Sequence, residues 1–467
     1  MDDYGKKILA VTSTGSFLSV VNSSSLLIAI PSIIIDIHLS FFLAIWVIVA
    51  YSLALTVLTP VMGKYSDLVG RKRLYSTGYL VFFFGSLISS LSFDGSLILL
   101  GRIIQGIGGA LLFSNSLAIL TDSFDTASLG KAMGINAAVI ALGTSIGPLI
   151  GGILTEFSWR WIFVFNMPIA LYGFFSSRRN VREIPSRGSG KIDVRGGVLL
   201  SSAVIAAIIF MTVLPGISVT SPLFIGLLTA LIVLIFAFVY QEIISPRPII
   251  DPDLFKIRTF LVSIMALIGG SIARFSIMFI LILFLQGPLG KTPLEAGILI
   301  IPLAGSMGVM SYVSGSMKKK GAQTTLELLG LAFSGIGALL LGLFAFMAPD
   351  YLLYGIFMVI AGAGNGMFYT PNSTIIMLSV PPGKRGETAG VRTLMLNMGS
   401  VIGLTIVFLI ISAFVPSTIV NSIFLGIRTT QVINYSILFT QASKLAFIVA
   451  GIFSLVPVPL VLFLSRK

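Results

Sequence analysis

The side chains that most often perform covalent or metal chemistry are nearly missing from this sequence. It has no cysteine and a single histidine, His38, among 467 residues. Zinc sites are built from several Cys or His ligands, and a Ser–His–Asp triad needs a histidine beside its serine. We therefore expect no enzyme activity, no metal site and no bound cofactor.

Three charged side chains instead stand inside long apolar segments, namely Arg102, Arg274 and Arg392. An arginine at the bilayer centre costs about 2.5–3.5 kcal/mol on insertion scales, so each should face a cavity or a partner. No acid is expected near the centre of a segment, and Glu327 falls at the inner edge of its own. A central cavity that contains arginines and no carboxylate should bind an anion better than a lipophilic cation. Alternatively, each arginine pairs with a carbonyl, a lipid phosphate or an edge acid, and Arg102 can also reach the headgroups.

Uncharged polar and aromatic residues accompany these arginines. Polar groups in hydrocarbon need hydrogen-bond partners, so they should face the interior of a helix bundle. There they either contact a substrate or only hold helices together. Besides the three arginines, we assign these residues to a central cavity: Asn22, Trp46, Gln105, Asn115, Phe275, Asn365 and Asn397.

The composition indicates a membrane protein. Hydrophobic residues make up 56% and charged residues 10% of the chain, whereas soluble domains have roughly 45–50% and about 25%. Many apolar blocks approach the roughly 20 residues that cross a bilayer as a helix. We predict an all-α protein with fourteen transmembrane helices that begin near Ile8, Phe41, Leu74, Ser96, Ala132, Trp161, Gly196, Pro222, Thr259, Leu294, Thr325, Tyr351, Thr388 and Leu445.

Lysine and arginine are distributed unevenly over the connections between these spans. With a cytoplasmic N-terminus, 23 of the 30 fall in inner segments, four in outer segments and three inside spans. Cytoplasmic loops carry such an excess, so both termini are predicted to be cytoplasmic, in a multi-pass protein of the plasma membrane. The net charge of +13 then concerns orientation and the lipid bilayer, and it requires no nucleic acid.

Two polar stretches divide the spans into groups. They are Ser176–Arg195 and Gln241–Arg258. We predict an N-terminal six-helix bundle over 1–178, linkers with two extra transmembrane helices over 179–258, and a C-terminal six-helix bundle over 259–467.

The connection after the second span combines an acid, glycines and basic residues: Gly63, Asp67, Gly70, Arg71 and Lys72. Asp67 can lie at a helix end and pair with a cation from another bundle, and the glycines let helix ends approach. The pattern predicts a gating loop. The simpler alternative is a short basic loop that obeys the positive-inside rule.

The fifth span is rich in small residues around a proline: Gly143, Gly147, Pro148, Gly151 and Gly152. Glycines four residues apart form a smooth face for a neighbouring helix. Proline removes a backbone hydrogen bond and kinks the helix. The combination suits a helix that rocks, with simple helix packing as the alternative.

Taken together, these segments resemble the major facilitator superfamily, and within it the fourteen-helix drug:proton antiporter family. Residues 63–73 are similar to its signature between helices two and three, 101–109 to its helix-four signature, and 143–152 to its helix-five antiporter signature. The resemblance implies two six-helix bundles and a monomer that exports small amphipathic or drug-like molecules by alternating access.

One departure from that family concerns energy coupling. The family usually has an Asp nine residues before the proline that aligns with Pro31, and this chain has Asn22 there. An amide cannot titrate, so coupling to protons is expected to be weak, or to use an acid at a span edge such as Asp36 or Glu156. Two other functions stay open, an organic-anion exporter or facilitator without proton coupling and a membrane receptor that does not transport.

Overall fold

The protein is described by a computed structural model over residues 3–124, 126–183, 193–214, 217–218, 220–246, 248–317, 320–344, 351–381, 384–416, 419 and 430–465. These residues form sixteen α-helices and one short 3-10 helix. No β-strand is assigned among them.

The N-terminal half is a bundle of six helices. They are α1 (Asp3–Asp36), α2 (Phe41–Val69), α3 (Arg71–Ser90), α4 (Gly95–Ser123), α5 (Thr126–Phe157) and α6 (Arg160–Asn180). Polar side chains cap two of the starts, since Ser40 accepts from the Leu43 N–H at 3.2 Å and Asp94 accepts from the Ser96 N–H at 2.7 Å. Such caps satisfy backbone donors that have no partner within the helix.

The C-terminal half begins after a helical hairpin. The hairpin is α7 (Val194–Val213) and α8 (Pro222–Ile244), followed by the 3-10 helix Pro252–Lys256. The half itself comprises α9 (Arg258–Gln286), α10 (Pro293–Leu299), α11 (Ile301–Ser316), α12 (Lys320–Phe344), α13 (Tyr351–Leu378), α14 (Arg385–Phe414), α15 (Thr430–Leu455) and α16 (Val458–Ser465). Helices α10 and α11 meet at 43° and have the form of one broken span.

The helices account for much of the predicted membrane organisation. Among the described residues, eight helical segments are long and apolar enough to cross a membrane, or nine with the broken pair. Helices begin within a few residues of the predicted span starts, except that the helix expected near Leu445 already begins at Thr430. The count of fourteen spans and the cytoplasmic termini stay predictions.

Helix ends alternate between two sides of the bundle. On one side, Arg71 at the start of α3 forms an ion pair with Asp122 near the end of α4, and Arg258 at the start of α9 lies against a ring of α16. We call this the basic side. On the opposite side, Asp36 at the end of α1 accepts a hydrogen bond from Trp159. Helix α1 therefore begins, and α16 ends, on the basic side.

Glycines bring α3 against α4 and α12 against α13. A Cβ built on Gly78 would lie 3.2 Å from the carbonyl oxygen of Gly108, and one on Gly330 would lie 2.8 Å from that of Gly364. With α10 and α11 counted as one span, these are the third and fourth helices of each half. Matching contacts in both halves are expected of an internal structural repeat.

The α7–α8 hairpin is tied to both halves. Helix α7 packs against α2 and α14. On the basic side, Glu242 of α8 accepts a hydrogen bond from the Ile250 N–H at 2.7 Å, and the adjacent Asp251 pairs with Lys384 before α14. The Lys384 ammonium holds the pKa of the Asp251 carboxyl below its usual range. Apart from Leu231 and Glu242, the residues of α8 are exposed or half-exposed, so most of its surface is left for lipid.

Buried apolar side chains form two clusters. The larger one joins the C-terminal half to the parts of the N-terminal half that lie toward the opposite side, including 26–34 of α1 and side chains between Ala44 and Val57 of α2. The smaller one lies within the N-terminal half, mostly toward the basic side, and includes Ile8, Tyr75 and Leu120. Among the described residues, the halves thus share an apolar core mainly toward the opposite side.

The glycine contact between α12 and α13 should be sensitive to added volume. A Cβ on Gly364 would lie 2.7 Å from the Gly330 carbonyl oxygen, whereas one on Gly355 of the same helix meets nothing within 4 Å. Overpacking of this kind costs about 1–3 kcal/mol. We expect Gly364→Leu to lower the thermal unfolding midpoint of the detergent-solubilised protein, with Gly355→Leu as the matched control. Equal midpoints for the two variants would contradict the packing described above.

Candidate functional site

Polar side chains of four helices meet inside the N-terminal half. Gln105 of α4 donates from Nε2 to the Ser86 hydroxyl of α3 at 2.8 Å and to Asn22 Oδ1 of α1 at 3.4 Å. Asn166 of α6 donates to the same Asn22 oxygen at 2.9 Å. All four side chains are buried. Because buried polar groups need partners, this network fixes the four helices relative to one another.

Arg102 is anchored to this network by neutral groups. Its Nη1 donates to Gln105 Oε1 at 2.7 Å and its Nε donates to the Val47 carbonyl at 3.0 Å. The guanidinium lies 4.6 Å from the ring centroid of Tyr51, a cation–π geometry. The residue is 1% exposed, so it does not extend to the headgroups. Arg102 forms no ion pair with a described carboxylate. Its charge is stabilised by the Val47 carbonyl, the Gln105 amide and the Tyr51 ring.

Asn22 lies in the middle of the network with an unused donor. Its Oδ1 accepts two hydrogen bonds, but its Nδ2 is buried and has no partner among the described residues. A carboxylate at this position would keep both accepted bonds and would remove the unused donor. An acid at this position would find two hydrogen-bond donors already in place, and its ionised form would have to be accommodated in a fully buried site.

A second group of candidates lies in the C-terminal half. Arg274 of α9 lies 4.8 Å from the ring centroid of Tyr369 and 5.4 Å from that of Phe275. The Tyr369 hydroxyl donates to Ser271 Oγ at 3.0 Å. Helix α14, which carries Arg392, packs against α9 at Gly399, whose built Cβ would lie 2.6 Å from Ser271 Cβ. Two of the predicted arginines thus lie on neighbouring helices of the C-terminal half, whereas Arg102 stands in the other half.

The remaining predicted cavity residues have mixed surroundings. Asn115 and Asn365 each donate to the carbonyl four residues earlier in their own helix, at 2.7 and 2.9 Å. Trp46 packs at the edge of the larger apolar cluster. Asn397 has a buried Nδ2 without a partner among the described residues. Asn365 is therefore a weak candidate for substrate contact, whereas Asn115 has a buried Oδ1 without a partner among the described residues.

The predicted gating loop brings α3 to α4. Gly70 has φ of 108°, a conformation that favours glycine, and it allows α3 to start directly after α2. Arg71 then forms its ion pair with Asp122 and also donates to the Ala118 carbonyl at 3.0 Å. These contacts join three helix ends on the basic side.

The other residues of that loop give less information. Gly63 lies near the end of α2, where a built Cβ would be 3.8 Å from Ser114 Cβ, and Lys72 is partly buried at the start of α3. The side chain of Asp67 lies outside the described part of the structure. Its gating role stays a prediction.

The small residues of α5 face two different neighbours. A Cβ on Gly147 would lie 2.8 Å from Ser24 Cβ, which belongs to α1 in the same half. Two further glycines also pack against α1: Gly143 and Gly151. This part of the predicted rocking helix therefore packs inside the N-terminal half.

Gly152 and Pro148 instead lie at the boundary between the halves. A Cβ on Gly152 would lie 2.7 Å from the carbonyl oxygen of Pro293 in α10. The carbonyl oxygen of Pro148 in α5 would lie 3.0 Å from a Cβ built on Gly297 in α10. This end of α5 is where added volume would separate the two halves.

The two acids proposed as proton carriers lie at the opposite-side surface. Asp36 accepts from Trp159 Nε1 at 2.9 Å and from Arg160 Nη1 at 2.6 Å. Glu156 is exposed near the end of α5. Neither takes part in the Asn22 network, and a role in coupling stays a prediction for both.

Sequence reasoning placed Glu327 at a span edge, and the structure buries it. It is 1% exposed and accepts a hydrogen bond from Asn372 Nδ2 at 2.8 Å. Its burial results from packing against α13, which supplies Asn372, and the edge position itself stays a prediction. In the sequence, Glu327 is followed directly by a long apolar run, and this was the available indication that its side chain could be buried.

The Arg102 anchor should depend strongly on Gln105. Gln105→Leu removes the acceptor of Arg102 Nη1 and the donor to Asn22, and a hydrogen bond to a charged group contributes about 1.5–3 kcal/mol. We expect a clearly lower thermal unfolding midpoint, with Gln441→Leu as control, since Gln441 is exposed on α15. If both variants unfold like wild type, the network does not hold the N-terminal half together.

Known proteins resemble the chain over most of its length. It is 29% identical to the riboflavin transporter RibZ of Clostridioides difficile over 398 residues, 85% of this chain and 86% of the relative. It is 30% identical to multidrug resistance protein 3 of Bacillus subtilis over 398 residues, 84% of this chain and 77% of the relative.

Solved structures share the fold. A bacterial homolog of the human lysosomal transporter Spinster, described as inward-facing and unoccupied, aligns with a TM-score of 0.70 and 16% identity, covering 100% of this chain and 98% of that one. The family model described as Major Facilitator Superfamily matches residues 12–404. With an all-helical bundle of matching halves and this family match, the protein belongs to the Major Facilitator Superfamily and is a membrane transporter, not an enzyme.

Proposed function

We propose that the protein exports small amphipathic molecules across the plasma membrane by alternating access, as a monomer with fourteen spans and cytoplasmic termini. Its division into bundles over 1–178 and 259–467, with the extra hairpin between them, belongs to the same proposal. The relatives are named for riboflavin and multidrug transport, so a flat, partly aromatic substrate is a reasonable first class to test.

The observation that carries this proposal is the distribution of the apolar core. The cluster shared by both halves draws on the N-terminal half toward the opposite side, and the basic-side cluster is confined to that half. Such an arrangement supports a state closed on the opposite side and open on the basic side. Since basic segments are usually cytoplasmic, the basic side would face the cytoplasm and collect substrate there.

The contacts at the closed side are of a kind that can separate again. Gln286 of α9 donates from Nε2 to the Ile28 carbonyl of α1 at 2.9 Å, and Gly152 lies against α10. Close approach of small residues gives packing energy without interlocked side chains. Rigid-body rocking of one half against the other would then separate these surfaces without unlocking interdigitated side chains.

We further propose that export depends only weakly on a proton gradient. Asn22 holds the position where the resembling family has an acid, and it cannot titrate. The organic-anion exporter or facilitator without proton coupling remains the second candidate, favoured by the buried arginines in place of central carboxylates.

Flux through the purified protein is the direct test. Proteoliposomes loaded with rhodamine 123, a lipophilic cationic dye, or with fluorescein sulfonate, an anionic dye of the same ring system, are diluted into dye-free buffer. Release of either dye above protein-free liposomes supports transport. Binding of the dyes without release would favour the receptor alternative and contradict the proposal.

Gly152→Leu should stop this flux by preventing closure at the opposite side. The leucine would overlap the Pro293 carbonyl of α10, which a built Cβ already approaches to 2.7 Å. We expect most dye release to be lost while the thermal unfolding midpoint changes little, because Gly152 lies between the halves.

The matched control is Gly226→Leu on α8, where a Cβ meets nothing within 4 Å. It should release dye like wild type. Normal flux from Gly152→Leu would show that this contact is not part of the transport cycle.

Asn22→Asp should make export depend on pH. The new carboxylate would accept the hydrogen bonds of Asn166 and Gln105 and would titrate inside the N-terminal half. We expect wild-type dye release to change little when the receiving side is acidified, and release by Asn22→Asp to increase, because protons can then be exchanged for substrate.

Asn115→Asp serves as control, since it adds an acid to the same half outside the Arg102–Gln105–Asn22 network. Stoichiometric proton movement in wild-type proteoliposomes would overturn weak coupling. The search for a carrier would then turn to Asp36, Glu156 and the buried Glu327.

A further inference from the structure

Two arginines of the C-terminal half share one aromatic neighbour. The Arg274 guanidinium lies 4.8 Å from the ring centroid of Tyr369 and also interacts with its hydroxyl. Arg392 lies on α14, which packs against α9 at Ser271, the acceptor of the Tyr369 hydroxyl. A Cβ built on Gly399, two turns after Arg392, would lie 2.6 Å from Ser271 Cβ. Helices α9, α13 and α14 thus place two arginines around one cluster inside one half of the bundle.

The donors at this place lack acceptors. Arg392 Nε is buried and has no hydrogen-bond partner among the described residues. The same holds for the Nδ2 of Asn397, which follows on the same helix. A guanidinium has five N–H donors and no acceptor, so it can only be satisfied from outside itself. Both side chains offer donors that this part of the chain leaves unused.

The acids of the C-terminal half that the structure describes have other partners. Glu327 accepts from Asn372, Glu295 caps α10 and lies 3.6 Å from Lys291, and Glu387 accepts from the Asp251 N–H. None of these contacts involves Arg274 or Arg392. The mutual repulsion of the two arginines is therefore not relieved by a described carboxylate.

An anion is the species that would complete this arrangement. It would place negative charge between two cations in a medium of low dielectric constant, where such attraction is strong. Carboxylate, sulfonate and phosphate groups can each accept several N–H bonds from guanidinium groups. The rings of Phe275 and Tyr369 beside Arg274 add apolar surface for an aromatic body attached to that group.

We propose that Arg274, Arg392 and Tyr369 form an anion-binding subsite that receives the carboxylate, sulfonate or phosphate group of an aromatic substrate. The inference rests on the proposed transport function and names the substrate class. The buried Arg102 of the other half, which already has two acceptors, is not part of it.

Binding to the purified full-length protein in a neutral detergent tests this subsite. Fluorescence anisotropy is measured with fluorescein sulfonate and with rhodamine 123, which share a ring system but differ in charge. Wild type should bind the anion at least about tenfold more tightly than the cation. Equal affinities, or tighter binding of rhodamine 123, would overturn the proposal.

Single variants locate the site. Arg274→Gln and Arg392→Gln should each weaken fluorescein sulfonate binding by about tenfold or more, since each removes a charged donor. Rhodamine 123 binding should not weaken. Lys6→Gln removes the same charge from an exposed position on α1 and should bind the anion like wild type. Unchanged anion binding in both arginine variants would contradict the assignment.

Conservative variants guard against loss of folding. Arg274→Lys and Arg392→Lys keep the charge, and they should recover part of the anion affinity at an unfolding midpoint close to that of the glutamine variants. If the lysine variant and the glutamine variant at the same position bind fluorescein sulfonate with equal affinity, the site is not electrostatic and the proposal is contradicted.

Two further measurements separate the possible occupants and the two proposals. Competition by phosphatidylglycerol at low mole fraction would assign the subsite to a lipid phosphate, and resistance to it would assign the subsite to substrate. If rhodamine 123 crosses proteoliposomes but no anion binds, the subsite fails and the transport function stands. If the anion binds but neither dye crosses, the transport function fails.

Discussion

Close approach of helix backbones is the constraint on which this molecule depends. Glycines on α3, α4, α12 and α13 let carbonyl groups of neighbouring helices come within a distance that any side chain would block. In a bilayer the lipid tails are as apolar as the side chains, so packing of this kind supplies much of the association energy. It gives two tightly packed bundles, and the boundary between them is closely packed at Gly152 and Gly297 as well.

Charge is placed to suit that division. Each half places an arginine beside an aromatic ring, buried in the case of Arg102 and half-buried in the case of Arg274, and neither is paired with a described carboxylate. Arg102 is satisfied by Gln105 and a carbonyl, and so it acts as part of the N-terminal framework. Arg274 and Arg392 have less complete surroundings. The two halves therefore look alike in helix packing and differ in what their polar interiors can bind.

Much of the fold could be predicted from the sequence, because apolar length and the bias of basic residues are strong local signals. The approximate starts of most helices, the hairpin between two groups of helices, and the interior position of Arg102 followed from them. The partners of α5 did not, since glycine spacing shows that a face is smooth without showing which helix covers it. The burial of Glu327 could not be predicted either, because its partner Asn372 belongs to α13 and a contact between helices leaves no local signal in the sequence.

A distance measurement across the opposite side tests most directly whether the two halves move against each other. The chain has no cysteine, so spin labels at Glu156→Cys on α5 and Ile298→Cys on α10, both exposed, report one pair without background. The account predicts a single short distance without substrate and a second, longer population when a transported dye is added. An unchanged distribution under conditions that support flux would contradict movement of the two halves about this boundary.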